Sequence, residues 1–113
     1  MSRKYMLEIN SVKLKELMES RRGDPDFSII DVRTPQEFEV GHIAGAVNID
    51  IYSAGFENEI RRLGKNKIYA IYCRTGSRSR AAAEFMTAIG FPDVFDLSGG
   101  TIAWAGNSLP LLK

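Results

Sequence analysis

Residues 69–86 read YAIYCRTGSRSRAAAEFM, and they combine the patterns of a buried strand, a turn and a helix. Its first part continues an apolar run that begins at residue 67, KIYAIYC, which is typical of a central strand with both faces covered. A helix is predicted from about Ser77, and Gly90 stands where a left-handed residue ends a helix. The only cysteine of the chain, Cys73, falls at the turn between them. The apolar residues of the helix recur at i, i+3, i+4 and i+7, as Ala82, Phe85, Met86 and Ile89.

Short apolar runs alternate with helical patterns along the chain. This alternation predicts an α/β fold in which helices cover both faces of a parallel sheet. The run KIYAIYC is expected in the middle of that sheet, because it is nearly continuous in apolar side chains. The predicted strands are YMLEI (5–9), FSIIDV (27–32), a brief strand at 47–49, KIYAIYC (67–73) and DVFDL (93–97).

The remaining helices are predicted from their caps and their apolar spacing. Asn10 or Ser11 caps the first helix. The second helix begins at TPQEF (34–38), where a threonine cap, a proline in first position and a glutamate three residues after the cap form a capping box. A third helix carries apolar residues at i, i+4 and i+7 and is expected to end at Gly64. Its apolar residues are Phe56, Ile60 and Leu63, and GGTIAWAG (99–106) predicts a final short helix.

Length and composition set limits on the class of protein. The chain has 113 residues, of which 44% are hydrophobic and 26% charged, and we expect one domain over residues 1–113. The net charge of +1 argues against general affinity for nucleic acid or acidic membranes, and no apolar run is long enough to cross a bilayer. A single cysteine excludes an internal disulfide, and the N-terminal residues lack the apolar core of a signal peptide. We therefore expect a cytoplasmic protein.

The loop after Cys73 has the composition of an anion site. Ligands of parallel α/β sheets bind at the carboxyl ends of the strands, where helix N-termini present unpaired N–H groups. If residues 74–78 curl around the sulfur, their amides and the charges of Arg74 and Arg78 favour a thiolate, and Gly76 permits the required backbone angles. Cys73 is then an activated nucleophile for an anionic or sulfur-bearing substrate. The alternative is a cysteine buried as a small hydrophobe, beside arginines that form only a solvated surface.

Three segments of the sequence, in the same order along the chain, resemble the motifs of one family. CRTGSRS (73–79), with IIDVRTPQEFEVGHIAGAVNI (29–49) upstream and VFDLSGGTIAW (94–104) downstream, resembles the single-domain rhodanese family of sulfurtransferases from about residue 8 to residue 106. The resemblance implies a central parallel sheet of five strands with helices on both faces. It also implies that Cys73 accepts a sulfane sulfur from thiosulfate or a persulfide donor, carries it as a persulfide and passes it to cyanide or a thiol acceptor. No metal and no organic cofactor is implied, and the implied substrate-binding loop consists of Arg74, Thr75, Gly76, Ser77 and Arg78.

Two other functions compete with this one. The related phosphatases and arsenate reductases carry a loop one residue longer, whereas only four residues separate Cys73 from Arg78, and a spacing counted to Arg80 fits neither pattern. Rhodanese-like domains also occur as inactive binding or regulatory modules, which usually lack the cysteine or disrupt the loop. This chain keeps both, which favours the enzyme. The physiological donor and acceptor stay open: a small sulfur-bearing anion fits the arginines, and so does a sulfur-acceptor protein with an acidic surface.

Four further residues have candidate roles. Asp31 and Arg33 lie on the same rim as Cys73 and either fix the loop geometry, as the resemblance suggests, or form a structural ion pair, which we favour. The lone histidine, His42, is expected to bond to loop backbone rather than to act as a base. Trp104 is expected to fill the core rather than to flank the loop.

Overall fold

Five parallel strands form one sheet in the order β1-β5-β4-β2-β3. This is the arrangement in a computed structural model, which describes residues 6–113. β4 lies in the centre, as predicted for KIYAIYC, and the α/β fold with a five-stranded parallel sheet is confirmed. Tyr5, assigned above to the first strand, lies outside the described residues. The strands are β1 (Leu7–Ile9), β2 (Phe27–Asp31), β3 (Val47–Asn48), β4 (Ile68–Tyr72) and β5 (Asp93–Leu97).

The first two helices begin at the predicted caps. The Asn10 side chain accepts a hydrogen bond from the Lys13 amide at 2.8 Å, so Asn10 rather than Ser11 is the cap of the first helix. The capping box of the second helix is complete, with Thr34 and Glu37 bonding each other's backbone amides. The helices are α1 (Ser11–Ser20), α2 (Pro35–Val40), α3 (Phe56–Arg61), α4 (Ser77–Ala88) and α5 (Gly100–Gly106).

The ends of α3 and α4 differ in how well they were predicted. α3 stops at Arg61 with Arg62 as its cap, so the expectation that Gly64 ends this helix is wrong. The amide of Arg62 already bonds back to the carbonyls of the last turn, and the chain leaves the helix before it reaches Gly64. α4 ends as expected, since Gly90 has φ 103° and its amide and that of Phe91 bond back to Thr87 and Met86.

Alternating residues of β4 divide the core into two layers. Tyr69, Ile71 and Cys73 face a layer formed with α3 and α4, whereas Ala70 and Tyr72 face a second layer formed with α1 and α5. Both faces of the sheet are therefore covered, which accounts for the continuous apolar run of β4. Trp104 is 2% exposed in the second layer, and its indole N–H donates to the Pro110 carbonyl at 2.9 Å, so it fills the core as predicted. None of the helices within residues 6–113 combines the length and the apolar character needed to span a bilayer.

Candidate active site

Cys73 lies directly after β4, at the carboxyl end of the central strand, and α4 begins four residues later at Ser77. Gly76 makes the turn between them with φ 119°, a left-handed conformation that is strained for any residue with a side chain. The segment 73–76 is thus folded back so that the Gly76 amide and the Ser79 amide in the first turn of α4 point toward the cysteine. This arrangement is local in sequence, which is why the residue pattern predicted it.

Two backbone amides and one hydroxyl surround the sulfur. The Gly76 amide donates to Cys73 Sγ at 3.1 Å and the Ser79 amide at 3.4 Å, and Ser79 Oγ lies 3.4 Å from the same sulfur. The amides were expected from residues 74–78; of that range Gly76 donates to the sulfur at this distance, and the second donor, Ser79, lies one residue beyond it. The convergence of two amide donors on one sulfur, with the Ser79 hydroxyl beside them, is the central feature of the site.

Burial and hydrogen bonding act on Cys73 in opposite directions. The residue is 0% exposed and packs in the layer under α4, and this burial raises the pKa of its thiol. The hydroxyl and amide of Ser79 and the amides of Gly76 and Thr75 lower it. These hydrogen bonds outweigh burial, so the net pKa of Cys73 lies below that of an ordinary thiol. Both readings of the sequence therefore hold in part, since the cysteine is buried and its sulfur also receives hydrogen bonds suited to a thiolate.

The two arginines of the loop have different surroundings. Arg78 donates from both terminal nitrogens to Glu37 of α2, at 2.7 and 2.9 Å, and its guanidinium lies 5.8 Å from the centre of the Tyr52 ring. This ion pair raises the pKa of Arg78 and holds the pKa of Glu37 at about 2. Arg74 is exposed at the surface of the loop. Of the two charges that were expected to favour a thiolate, that of Arg78 is therefore paired with the carboxylate of Glu37.

The N-terminus of α5 packs against the cysteine loop and donates hydrogen bonds to it. The amides of Thr101 and Ile102 donate to the carbonyls of Cys73 and Arg74, at 3.0 and 3.2 Å. Gly100 makes this approach feasible: its φ is 55°, and a Cβ there would overlap the Cys73 carbonyl oxygen and lie 2.5 Å from that of Arg74. Gly100 was not predicted to have a role in the site. The glycine pair before a predicted helix was the available signal, but only the tertiary structure shows which carbonyls it faces.

Thr75 and Ser77 are exposed on the far side of the loop. They line a shallow cavity of about 330 Å³ between the loop, β1 and β5. Charged side chains from three elements contribute to its wall, namely Glu8, Arg80 and Asp96.

Ser79 and Asp96 were missed by the sequence analysis. Ser79 is 0% exposed, and its hydroxyl bonds Asp96 Oδ1 at 2.5 Å, so a buried carboxyl group lies one hydroxyl away from the sulfur of Cys73. Asp96 is 3% exposed, and burial raises its pKa to about 6. The signal in the sequence was a charged residue inside the apolar run DVFDL.

Asp31 and Arg33 form a buried ion pair, at 0% and 5% exposure. Arg33 Nη2 donates to Asp31 Oδ2 at 2.7 Å and to the Gly41 carbonyl at 2.6 Å, and the guanidinium lies over the Tyr72 ring. The pair thus ties the end of β2 to the segment after α2. These contacts match the structural alternative, in which the pair stabilises the sheet edge.

His42 Nδ1 lies 3.0 Å from the Phe38 carbonyl, and the imidazole stacks on the Phe38 ring at 3.9 Å. This is the backbone contact that was expected of it. Among residues 6–113, no group of three or more His, Cys, Asp or Glu side chains is placed to hold a metal ion.

Comparison with protein families adds an independent observation. The model of the rhodanese-like domain matches residues 13–107, which is most of the chain. The chain belongs to the rhodanese-like family. The match includes the cysteine loop, β5 and α5, so every element that contacts Cys73 falls within the rhodanese-like domain.

Individual relatives agree with this assignment. A protein of Allochromatium vinosum named sulfurtransferase is 30% identical over 104 residues, which cover 92% of this rhodanese-like chain and 95% of that protein. A Pseudomonas putida protein named thiosulfate sulfurtransferase GlpE is 30% identical, with 88% of this chain and 87% of that protein covered. The crystal structure of a rhodanese-related protein from Thermoplasma volcanium superimposes with a TM-score of 0.80 at 31% identity, covering 94% of this chain and 97% of that one. The chain therefore has relatives named sulfurtransferases along nearly its whole length.

Proposed function

We propose that this protein is a sulfurtransferase that carries a sulfane sulfur on Cys73. The observation that supports this function is the convergence of the Gly76 and Ser79 amides on Cys73 Sγ. Such donors favour a sulfur anion, and a sulfur anion is both the nucleophile that takes sulfur and the product that holds it. No metal or organic cofactor is needed for this chemistry.

The reaction has two halves. In the first, the Cys73 thiolate attacks the outer sulfur of thiosulfate, a new S–S bond forms, and the old S–S bond breaks with its electron pair leaving on sulfite. In the second, cyanide or a thiolate attacks the outer sulfur of the Cys73 persulfide, and the thiolate of Cys73 is regenerated. Each half exchanges one anion for another, so the loop donors stabilise a negative sulfur throughout.

The loop also bears on the choice of donor. Arg74, the residue that follows Cys73, is exposed, and its charge suits an anionic donor such as thiosulfate, or an acidic face on a persulfide donor or a sulfur-acceptor protein. Because Cys73 is fully buried, the donor reaches Sγ only after a small displacement of the loop. We place the reaction in a reducing compartment such as the cytoplasm, where a lone cysteine stays a free thiol.

The test compares turnover of thiosulfate and of glutathione persulfide, with cyanide as acceptor, by the native protein and by Cys73→Ser. We expect turnover of at least one donor by the native protein and none by the variant. Hydrolysis of p-nitrophenyl phosphate that depends on Cys73, without sulfur transfer, would instead make the protein a phosphatase. A folded protein without either activity would support the binding module.

A further inference from the structure

Ser79 has one hydroxyl hydrogen and three neighbours that accept it. Its Oγ lies 2.5 Å from Asp96 Oδ1, 3.2 Å from the Gly76 carbonyl oxygen and 3.4 Å from Cys73 Sγ. A serine hydroxyl donates one hydrogen bond at a time. The direction of that single hydrogen therefore decides whether Ser79 stabilises the sulfur anion.

The protonation state of Asp96 controls this direction. When Asp96 is a carboxylate it can only accept, and its charge makes it the strongest acceptor, so the Ser79 hydroxyl turns to it and leaves a lone pair facing the sulfur. When Asp96 is a carboxylic acid, its O–H donates to Ser79 Oγ. The hydroxyl hydrogen is then released to the sulfur, where a charge-assisted bond to an anion outcompetes the neutral Gly76 carbonyl.

The surroundings of Asp96 place this change of state within an accessible range of pH. The residue is 3% exposed on β5, and burial raises its pKa to about 6. Glu8 on β1 and Glu84 on α4 raise it further, whereas the Ser79 hydrogen bond and Arg80 on α4 lower it. Arg80 is itself held between the two glutamates, at 3.5 Å from Glu8 and 3.8 Å from Glu84.

We propose that Asp96 is a positioning residue for Cys73 that acts through the Ser79 hydroxyl, with the acid form aiming the hydroxyl at the sulfur and the carboxylate drawing it away. The proton balance is closed, because the Cys73 thiol gives its proton to Ser79 Oγ while the Ser79 hydroxyl gives its own to Asp96. The products are a thiolate and a carboxylic acid, and no proton is exchanged with solvent. This inference rests on the proposed function, since it concerns the charge of the same sulfur.

The experiment measures the rate of Cys73 alkylation by iodoacetamide over about pH 5 to 9 and takes as the midpoint the pH at which the rate is half of its maximum. Variants are compared by their midpoints, because restricted access to the sulfur lowers the rate by the same factor at every pH. Asp96→Asn keeps the size of the side chain and donates permanently to Ser79 Oγ, as the acid form does. We expect its midpoint to fall by about one pH unit, so that alkylation on the acidic side is about tenfold faster. The control Glu8→Gln removes a charge from the same cavity without contacting Ser79, and its midpoint should move by much less.

The route through Ser79 is tested by a second pair of variants. In the Ser79→Ala background, Asp96→Asn should leave the midpoint almost unchanged, because the hydroxyl that connects the two groups is gone. A shift of equal size in that background would replace the proposal with direct charge repulsion. If Asp96→Asn in the native protein leaves the alkylation midpoint unchanged or raises it, the proposal is overturned as well.

Two further measurements test the proposal without Asp96→Asn and separate its failure from failure of the proposed function. The carboxyl pKa of Asp96, followed by carbon-13 NMR, should fall in Cys73→Ala, where no sulfur competes for the Ser79 hydrogen; an unchanged pKa would contradict the proposal even if Asp96→Asn did not fold. Alkylation needs no sulfur donor. A shifted midpoint in a protein that takes no sulfur from any donor would therefore support this inference while refuting the proposed function, and the reverse result would do the opposite.

Discussion

Arg78 and Glu37, which lie 41 positions apart, are joined by two hydrogen bonds of 2.7 and 2.9 Å. Glu37 also completes the capping box of α2 by accepting from Thr34. One carboxylate therefore connects the N-terminus of α2 to the first turn of α4, where the cysteine loop ends. The end of the cysteine loop is therefore tied to α2 by a side-chain contact.

Replacement of Glu37 by Gln should destabilise the protein by about 1 to 2 kcal/mol at neutral pH, as expected for a partly buried pair. The folded pKa of Glu37 is about 2, below the ordinary value of 4.5, so its contribution is fully present above pH 4.5 and is lost as pH falls toward 2. Urea unfolding as a function of pH measures this difference. The control Glu39→Gln changes an exposed residue of the same helix, and equal losses in both variants would contradict the assigned role.

Gly100→Ala should destabilise the protein by about 2 to 4 kcal/mol, because the new methyl group meets two carbonyl oxygens and the backbone is left-handed. It should also raise the midpoint of Cys73 alkylation, since the loop carbonyls must move. Thermal unfolding and the alkylation profile measure the two effects. Gly106→Ala is the matched control: beyond its own helix backbone and chain neighbours, nothing lies within 4 Å of where a Cβ would be, and the variant should be as stable as the native protein or slightly more so. Equal behaviour of the two alanine variants would refute the close contact.

Asp96→Asn should stabilise the protein at neutral pH by about 1 to 3 kcal/mol. The folded pKa of Asp96 is about 6, above the ordinary 3.8, so the native state binds the proton more tightly and stability is lost as pH rises from 3.8 through 6. Asparagine does not ionise, and its advantage should grow over that window and stay constant above it. Glu84→Gln, at an exposed position of α4, serves as control. A variant less stable than the native protein at neutral pH would contradict the cost of burying this carboxylate.

Removal of one partner of the Asp31–Arg33 pair should cost about 3 to 5 kcal/mol, because the other charge stays buried without compensation. Asp31→Asn tests this by urea unfolding. The exposed pair of Arg61 and Glu57 provides the comparison, and Arg61→Gln should cost less than about 1 kcal/mol. If the pair is structural, the folded Asp31→Asn protein keeps the alkylation midpoint of Cys73. A shifted midpoint would instead support a role in positioning the loop.

The features predicted from sequence are those encoded by neighbouring residues. The central strand, the turn at Gly76, the start of α4 and the capping box at Thr34 each depend on a few adjacent positions. The contacts that were missed join distant parts of the chain. The pairing of Glu37 with Arg78, the support of the loop by Gly100 and the bond from Ser79 to Asp96 depend on how β5, α2 and α5 pack around β4, and residue spacing carries no information about that.

The early end of α3 was also missed. Leu63 keeps the helical spacing of Phe56 and Ile60 and packs against the same core, but the helix has already stopped at Arg61. Apolar spacing indicates which residues face the core and does not by itself show where a helix ends.

The mass of the intact protein after exposure to thiosulfate tests the central claim most directly. We predict that the native protein gains one sulfur atom, that cyanide or dithiothreitol removes it, and that Cys73→Ser gains nothing. Both proteins should give the same circular dichroism spectrum. A folded native protein that gains no sulfur from thiosulfate or glutathione persulfide, or a gain that persists in Cys73→Ser, would contradict the claim that Cys73 carries the transferred sulfur.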